Sequence, residues 1–484
     1  MINLSKNEEG LTNAINRAKE YGITLPTFEQ MKDPSLIPQE IKEKLKDVEL
    51  SETNPLNLFR ITWKNEPQKK GGLYRNLPNY IEIPSELSGV KARILMMIGK
   101  WFPTGAHKVG AAYGCLVPRL ITGQFDPTKH EAVWPSTGNY CRGGAFDSKI
   151  MGVKSIAILP EGMSKERFEW LETVATEVIA TPGSESNVKE IYDKCDELRA
   201  TRENVIILNQ FDELGNHLWH YEVTGNAIKE ILDHELREGQ QFFASCFTTG
   251  SAGTIAAGDF LKVHYPTSKT AAGEALQCPT LLVNGYGAHR IEGIGDKHVP
   301  WIHNIRTTDV VIAIDDNDPM NIMRLFNEEV GKQYLVDQGI SQDLVDQLPL
   351  LGISSIANLL MCIKMAKYYE LDENDVLVTV STDSMDLYQS RLVELRDELG
   401  QYDSTKAAID FHHALLGQVP DNLEELTYAT RKRIHHLKYF TWVEQQGKTL
   451  KELNAQWYDK NYWTNVHQMT PELDKLINEF NSRL

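Results

Sequence analysis

The sequence contains no CxxC pair: its six cysteines (Cys115, Cys141, Cys195, Cys246, Cys278 and Cys362) are scattered along 484 residues. That spacing argues against a structural zinc site or other metal centre and against a disulfide scaffold, and it suits a reducing compartment. No apolar run approaches the ~20 residues of a membrane-spanning helix. The opening residues, MINLSKNEEGLTNAINRAKEYGI, lack the basic start and apolar stretch of a secretory signal. A cytoplasmic protein with no membrane partner is therefore expected. Positive charge is also in short supply: 50 Lys plus Arg against 67 Asp plus Glu leave a net charge of -17. A chain this acidic repels nucleic acid on average, so no nucleic-acid partner is expected either. Internal repeats and low-complexity segments are absent. What remains is an ordinary globular composition, 41% hydrophobic and 24% charged, able to bury a substantial core.

Residues 1–60 read as a charged helical arm interrupted by Pro26, Pro34, Pro38 and Pro55. From about Leu73 to about Gln401, short apolar runs alternate with helical patterns. KSIAILP (154–160), EVIATP (177–182), NVIILNQ (204–210), TLLVNG (280–285), DVVIAID (309–315) and DVLVTVS (375–381) read as strands. SKERFEWLETVA (164–175) and NVKEIYDKCDELRA (187–200) read as amphipathic helices. This alternation predicts an α/β fold with parallel sheet covered by helices on both faces. Past about residue 402 no further strand is expected. The segment 421–447 reads as a helix with Asp421 as N-cap and Gly447 as terminator, and Thr470-Pro471-Glu472 starts another. The aromatics of this tail predict that it docks on the body or on a second subunit.

Four glycine clusters carry the chemistry. PTGAHKVGAA (103–112) is a tight turn entering a helix, with Lys108 at the junction; an isolated lysine there is most simply a surface residue. PSTGNY (135–140) follows an apolar run, and its hydroxyls and backbone N–H groups suit a carboxylate or an ordinary loop. TTGSAGT (248–254) precedes a helical stretch, so its amides and the helix end can converge on an anion; taken alone, it equally fits tight strand–helix packing. HRIEGIGDKHVP (289–300) implies no mechanism by itself.

Together, in this order and at these intervals, the four clusters resemble the pyridoxal-phosphate enzymes of the cysteine synthase and cystathionine β-synthase family, which share the tryptophan synthase β-like, type II fold. GEALQCPTLL (273–282), NEEVG (327–331), GISSIANLL (352–360) and TDSMDLY (382–388) extend the likeness over about residues 73–395. The resemblance implies two open parallel-sheet α/β domains with the cofactor between them, plus helical N- and C-terminal extensions. On it, 61–112 with 215–401 is the large cofactor-binding domain, 113–214 the small substrate-loop domain, 1–60 the arm and 402–484 the C-terminal extension.

The resemblance also implies site roles. Lys108 matches the lysine that holds pyridoxal 5'-phosphate as a Schiff base and then removes the substrate's α-proton, work that suits an amine. His107 matches a position against the phosphate. Gly250, Ser251, Ala252, Gly253 and Thr254 match the phosphate cup, where the family usually has a second glycine at the place of Ala252. Ser136, Thr137, Gly138, Asn139 and Tyr140 match the loop over the substrate α-carboxylate, with Asn139 next to the cofactor hydroxyl. Tyr140 replaces a threonine common in cysteine synthases. Ser384, or Thr382 on a shifted alignment, matches the hydroxyl at the pyridine nitrogen. Gly293, Ile294 and Gly295 match a turn lining the cofactor, and Lys297 or His298 is expected to face an anionic substrate group. Ile356 stands where the family often has glycine. The implied reaction is β-replacement or β-elimination on a small L-amino acid such as cysteine, serine or O-acetylserine, through an aminoacrylate. A thiol or sulfide is the candidate nucleophile. A desulfhydrase or dehydratase-type lyase is the alternative, and a homodimer is implied.

Overall fold

A computed structural model describes residues 1–68 and 72–484. The strands in chain order are β1 (Tyr80–Ile83), β2 (Arg93–Ile98), β3 (Glu131–Pro135), β4 (Lys154–Pro160), β5 (Glu177–Thr181), β6 (Val205–Ile207), β7 (Gln241–Thr248), β8 (Lys269–Ala275), β9 (Val310–Ile314), β10 (Asp375–Ser381) and β11 (Leu423–Glu425). They form two sheets, one ordered β1-β2-β10-β7-β8-β9-β11 and one ordered β5-β4-β3-β6. The smaller sheet is parallel throughout. In the larger, β2, β10, β7, β8 and β9 run parallel, and only the edges β1 and β11 are antiparallel. Every residue of β2, β9 and β10 is buried, as helical cover on both faces requires. Among the described residues, no single helix is long and apolar enough to cross a membrane.

Three expectations from the pattern of residues need correction. TLLVNG is not a strand: Thr280–Val283 is a helical turn, held by the Glu274 carboxylate, which accepts from the Leu281 and Leu282 amides at 2.8 and 2.9 Å. The strand beside it is KTAAGEA, whose alanines and glycine hide it from β-propensity. Strands also continue past residue 402, because β11 pairs with β9 and closes the sheet edge. Finally, Asp421 caps nothing helical. The helix starts at Tyr428, with Thr427 and Thr430 forming a capping box, whereas Gly447 does adopt a left-handed φ of 72°.

The tail lies on the body. Trp442 is fully buried and its Nε1 donates to Val299 O at 2.8 Å. The buried Lys438 ammonium donates to the Trp301 and His303 carbonyls at 2.9 and 2.7 Å. His217 donates from Nδ1 to Ile302 O, since a carbonyl only accepts, so its Nε2 accepts from His467 of the tail at 3.0 Å. Tail and arm also meet: Asp474 accepts from the Phe28 amide at 2.7 Å.

Candidate active site

Lys108 is the first residue of the helix Lys108–Ile121, whose side chains are almost all buried. Its Nζ donates to Ser251 Oγ at 2.9 Å, and the same oxygen accepts from Asn216 Nδ2 at 2.9 Å. Ser251 belongs to the loop 250–254, which joins β7 to the helix Ile255–His264. Free amides and the positive helix end are therefore placed to receive an anion there. Only glycine fits two of its positions: a Cβ on Gly250 would lie 2.7 Å from Gly293 O, and one on Gly253 2.4 Å from Asn216 Oδ1. Ala252 carries a side chain at a left-handed φ of 61°, at a cost of about 1 kcal/mol. His107, Thr248, Gly293, Asn358 and Thr382 line the same cavity.

The second loop, Ser136–Gly138, joins β3 to the helix Asn139–Ile150. A Cβ on Gly143 of that helix would lie 2.7 Å from Val109 Cα and 2.9 Å from Lys108 O. This close approach sets the loop beside the lysine. A buried network fixes the loop to the larger sheet. Asn139 Nδ2 and Tyr388 OH donate to Asp383 Oδ2 at 2.6 and 2.7 Å. Arg167, fully buried, donates to Tyr388 OH at 2.7 Å and pairs with Glu292, which also accepts from Arg391 Nε at 2.6 Å. Gly138, at φ 150°, leaves the Arg167 guanidinium room beneath the loop: a Cβ there would lie 2.8 Å from Nε.

Burial lowers the Lys108 ammonium to about 8, partly opposed by Asp296. Burial and the neighbouring Lys108 charge also hold His107 well below its ordinary value. The ring is therefore neutral, its Nε2 3.1 Å from Thr382 Oγ1. An amine attacks an aldehyde only when unprotonated. Trapping of pyridoxal on Lys108 of the apoprotein by cyanoborohydride should thus accelerate as pH rises to about 8 and level off above. A midpoint near that of a free lysine, or no pH dependence, would show that burial does not set this amine.

Sequence-predicted residues separate into three groups. His107, Lys108, the 250–254 loop, Gly293 and Thr382 surround one cavity. Ser384 lies elsewhere: its hydroxyl accepts from the Asp386 amide and caps the turn Met385–Leu387. Of the two hydroxyls, Thr382 alone borders the cavity. Ser136, Thr137, Gly138 and Asn139 adjoin it as one loop, but Tyr140 turns into the core, donating to Leu208 O at 3.1 Å and packing on Trp134. Lys297 is exposed. His298 sits among Tyr192, Phe211 and Trp442, 3.2 Å from Tyr192 OH, and burial lowers it to about 3. The inward-facing member of that triplet is Asp296. Ile356 is fully buried in the core around β10.

Three buried polar atoms around the cavity lack partners: His107 Nδ1, Asn139 Oδ1 and Asn216 Oδ1. An amine beside an anion-binding loop, orphaned polar atoms and a hydroxyl at the end of a parallel strand suit a phosphorylated aromatic aldehyde. They define a cofactor site of the pyridoxal-phosphate class. Residues 99–383 match the family described as pyridoxal-phosphate dependent enzyme, and the chain belongs to that family. It is 28% identical over 300 residues to a probable cysteine synthase of Bacillus subtilis (strain 168), covering 62% of this chain and 89% of that one. It is 30% identical over 259 residues to a cysteine synthase of Staphylococcus aureus (strain N315), covering 53% and 75%. The structure of O-acetyl serine sulfhydrylase isoform 3 from Entamoeba histolytica superposes with a TM-score of 0.56 at 21% identity, over 71% of this chain and 94% of that one.

Proposed function

We propose that this enzyme carries out β-elimination or β-replacement on a small L-amino acid of the cysteine, serine or O-acetylserine type, with sulfide or a thiol as the nucleophile of replacement. The observation that carries this reading is the position of Lys108, whose amine lies 2.9 Å from Ser251 of the 250–254 loop and whose helix packs closely on Gly143 of the helix that follows Ser136–Gly138. The similarity to cysteine synthases supports it. Pyridoxal 5'-phosphate, when bound, supplies the electron sink that stabilises negative charge at Cα. The amides of 250–254 would hold its phosphate, and Thr382 would meet its ring nitrogen in place of Ser384. A hydroxyl there leaves that nitrogen largely unprotonated, which favours departure of a β-substituent.

The chain's own residues then do three things. The amides of Ser136–Asn139, at the positive end of a helix, hold the substrate carboxylate. Lys108 Nζ removes the α-proton, and burial keeps that amine partly unprotonated near neutral pH. The Arg167–Asp383 network holds the loop closed and so governs how much water enters before a nucleophile does. Incubating the holoenzyme with cysteine, serine and O-acetylserine, with and without sulfide, tests the reading. Pyruvate with ammonia, or cysteine formed from O-acetylserine and sulfide, is expected. Turnover of none of the three would overturn it.

A further inference from the structure

Two buried carboxyl groups beside Lys108 have no role in the scheme above. Asp296 follows the 293–295 glycine turn; it is 6% exposed, and its Oδ2 has no hydrogen-bond partner. Glu185, in the loop after β5, is 1% exposed, and both its carboxyl oxygens are unpartnered. Each acts on the Lys108 charge through space, Asp296 the more strongly, and Glu185 also lies beside Thr137 of the carboxylate loop. Among the described residues, no free cation pairs with them. Arg167, the one near Glu185, is engaged by Glu292, Tyr388 and Asp383, and Lys297 is exposed.

A carboxyl group buried without a donor holds its proton or awaits a donor from outside. Burial raises Asp296 to about 8, and burial also raises Glu185 well above the ordinary carboxylate range. In place of the positive charge expected from Lys297, the site therefore presents two protonated acids. Anionic substituents such as phosphate or sulfonate meet two acids, whereas a neutral hydroxyl meets a proton donor.

We propose that Asp296, backed by Glu185, is a proton-donating subsite for the substrate's β-substituent, and that the substrate class it serves is a β-hydroxy amino acid such as serine. This rests on the reading of Lys108 given above. Hydroxide departs poorly unless protonated, and a positioned acid contributes about 10²–10⁴-fold to such a step. Lys108 Nζ takes the α-proton. The Cβ–O bond then breaks with its electron pair going to oxygen, and the Asp296 proton passes to that oxygen. Water leaves, the carboxylate of Asp296 remains beside the Lys108 ammonium, and return of that proton to Asp296 restores both groups.

The test compares serine with β-chloroalanine, whose chloride leaves without a proton. In Asp296→Asn, the ratio of kcat for serine to kcat for β-chloroalanine is expected to fall about 100-fold. In the infrared difference spectrum of the two apoproteins at neutral pH, one component of the protonated-carboxyl carbonyl band should be missing from that variant, while the contribution of Glu185 remains. An equal fall for both substrates would make Asp296 structural and overturn the proposal. An unchanged ratio, no difference in the carboxyl band between wild type and variant, or wild-type turnover of β-chloroalanine without serine would also overturn it. Wild-type failure on both substrates would instead bring down the elimination reading itself, and this proposal with it.

Discussion

Replacing Lys108 with alanine is expected to lower kcat by at least about 10⁴-fold on every substrate the enzyme turns over. The loss has two sources in one atom. On the proposed function, Nζ is both the nucleophile that captures the cofactor's aldehyde and the base that takes the substrate's α-proton. Among the described residues no other amine lines the cavity, and the neighbouring imidazoles cannot condense with the aldehyde. His107 spends Nε2 on Thr382, and His220 Nδ1 bonds Thr224 Oγ1 at 2.9 Å. Lys108→Arg should lose as much, because a guanidinium keeps the charge but neither condenses with an aldehyde nor deprotonates in this pH range. Borohydride reduction distinguishes this chemistry from simple misfolding: it should fix the cofactor to the wild type and to neither variant, while both variants keep the wild-type melting behaviour within about 1 kcal/mol. A variant that retained a tenth of the wild-type kcat would remove Lys108 from the mechanism.

The parts of this site that sequence reading located are those written in one short stretch. Gly250 to Thr254 stands between an apolar strand and a helix, and PTGAHK stands at a helix start, so loop, lysine and helix ends follow from local pattern. Choosing between Thr382 and Ser384 was beyond that pattern. Both hydroxyls follow the end of β10, where strand alternation no longer applies, and only the turn capped by Ser384 shows which one is free to face the cavity. Asp296 was hidden differently. In DKH, three polar residues in a row read as surface, as such triplets usually are, yet Gly293 and Gly295, at φ 97° and 76°, bend the chain so that Asp296 turns inward and Lys297 outward. Strand β8 escaped because alanine and glycine carry little strand preference, although its neighbours β7 and β9 bury it completely enough for those small residues to serve.

Arg167 shows what neither motif nor periodicity carries, since its partners Glu292, Asp383 and Tyr388 lie more than a hundred residues away in the chain. Its guanidinium joins the helix Lys165–Val174 beside the smaller sheet to the segments that follow β8 and β10 of the larger one, and it fills the space that Gly138 leaves under the 136–138 loop. Replacing Arg167 with methionine keeps the stem but strands the Asp383 and Glu292 carboxylates, fully buried or nearly so, with Arg391, among the described residues, the cation left on Glu292. Removing one partner of such a buried pair costs about 3–5 kcal/mol, and a lowered unfolding midpoint in urea should show it. Asn139 loses its anchor in turn, because Asp383, no longer opposed by the arginine, takes up a proton and ceases to be a charged acceptor for the Asn139 amide. The 136–139 segment, proposed above to hold the substrate, should then close less well, so that kcat/KM for the amino acid falls about 10–100-fold while the affinity for pyridoxal phosphate, assigned on the same proposal to 250–254, stays the same. Cofactor titration and steady-state kinetics on one preparation read both. An Arg167→Met enzyme with full stability and unchanged kcat/KM would mean that the loop closes without the network, and that the link between the two sheets serves neither folding nor catalysis.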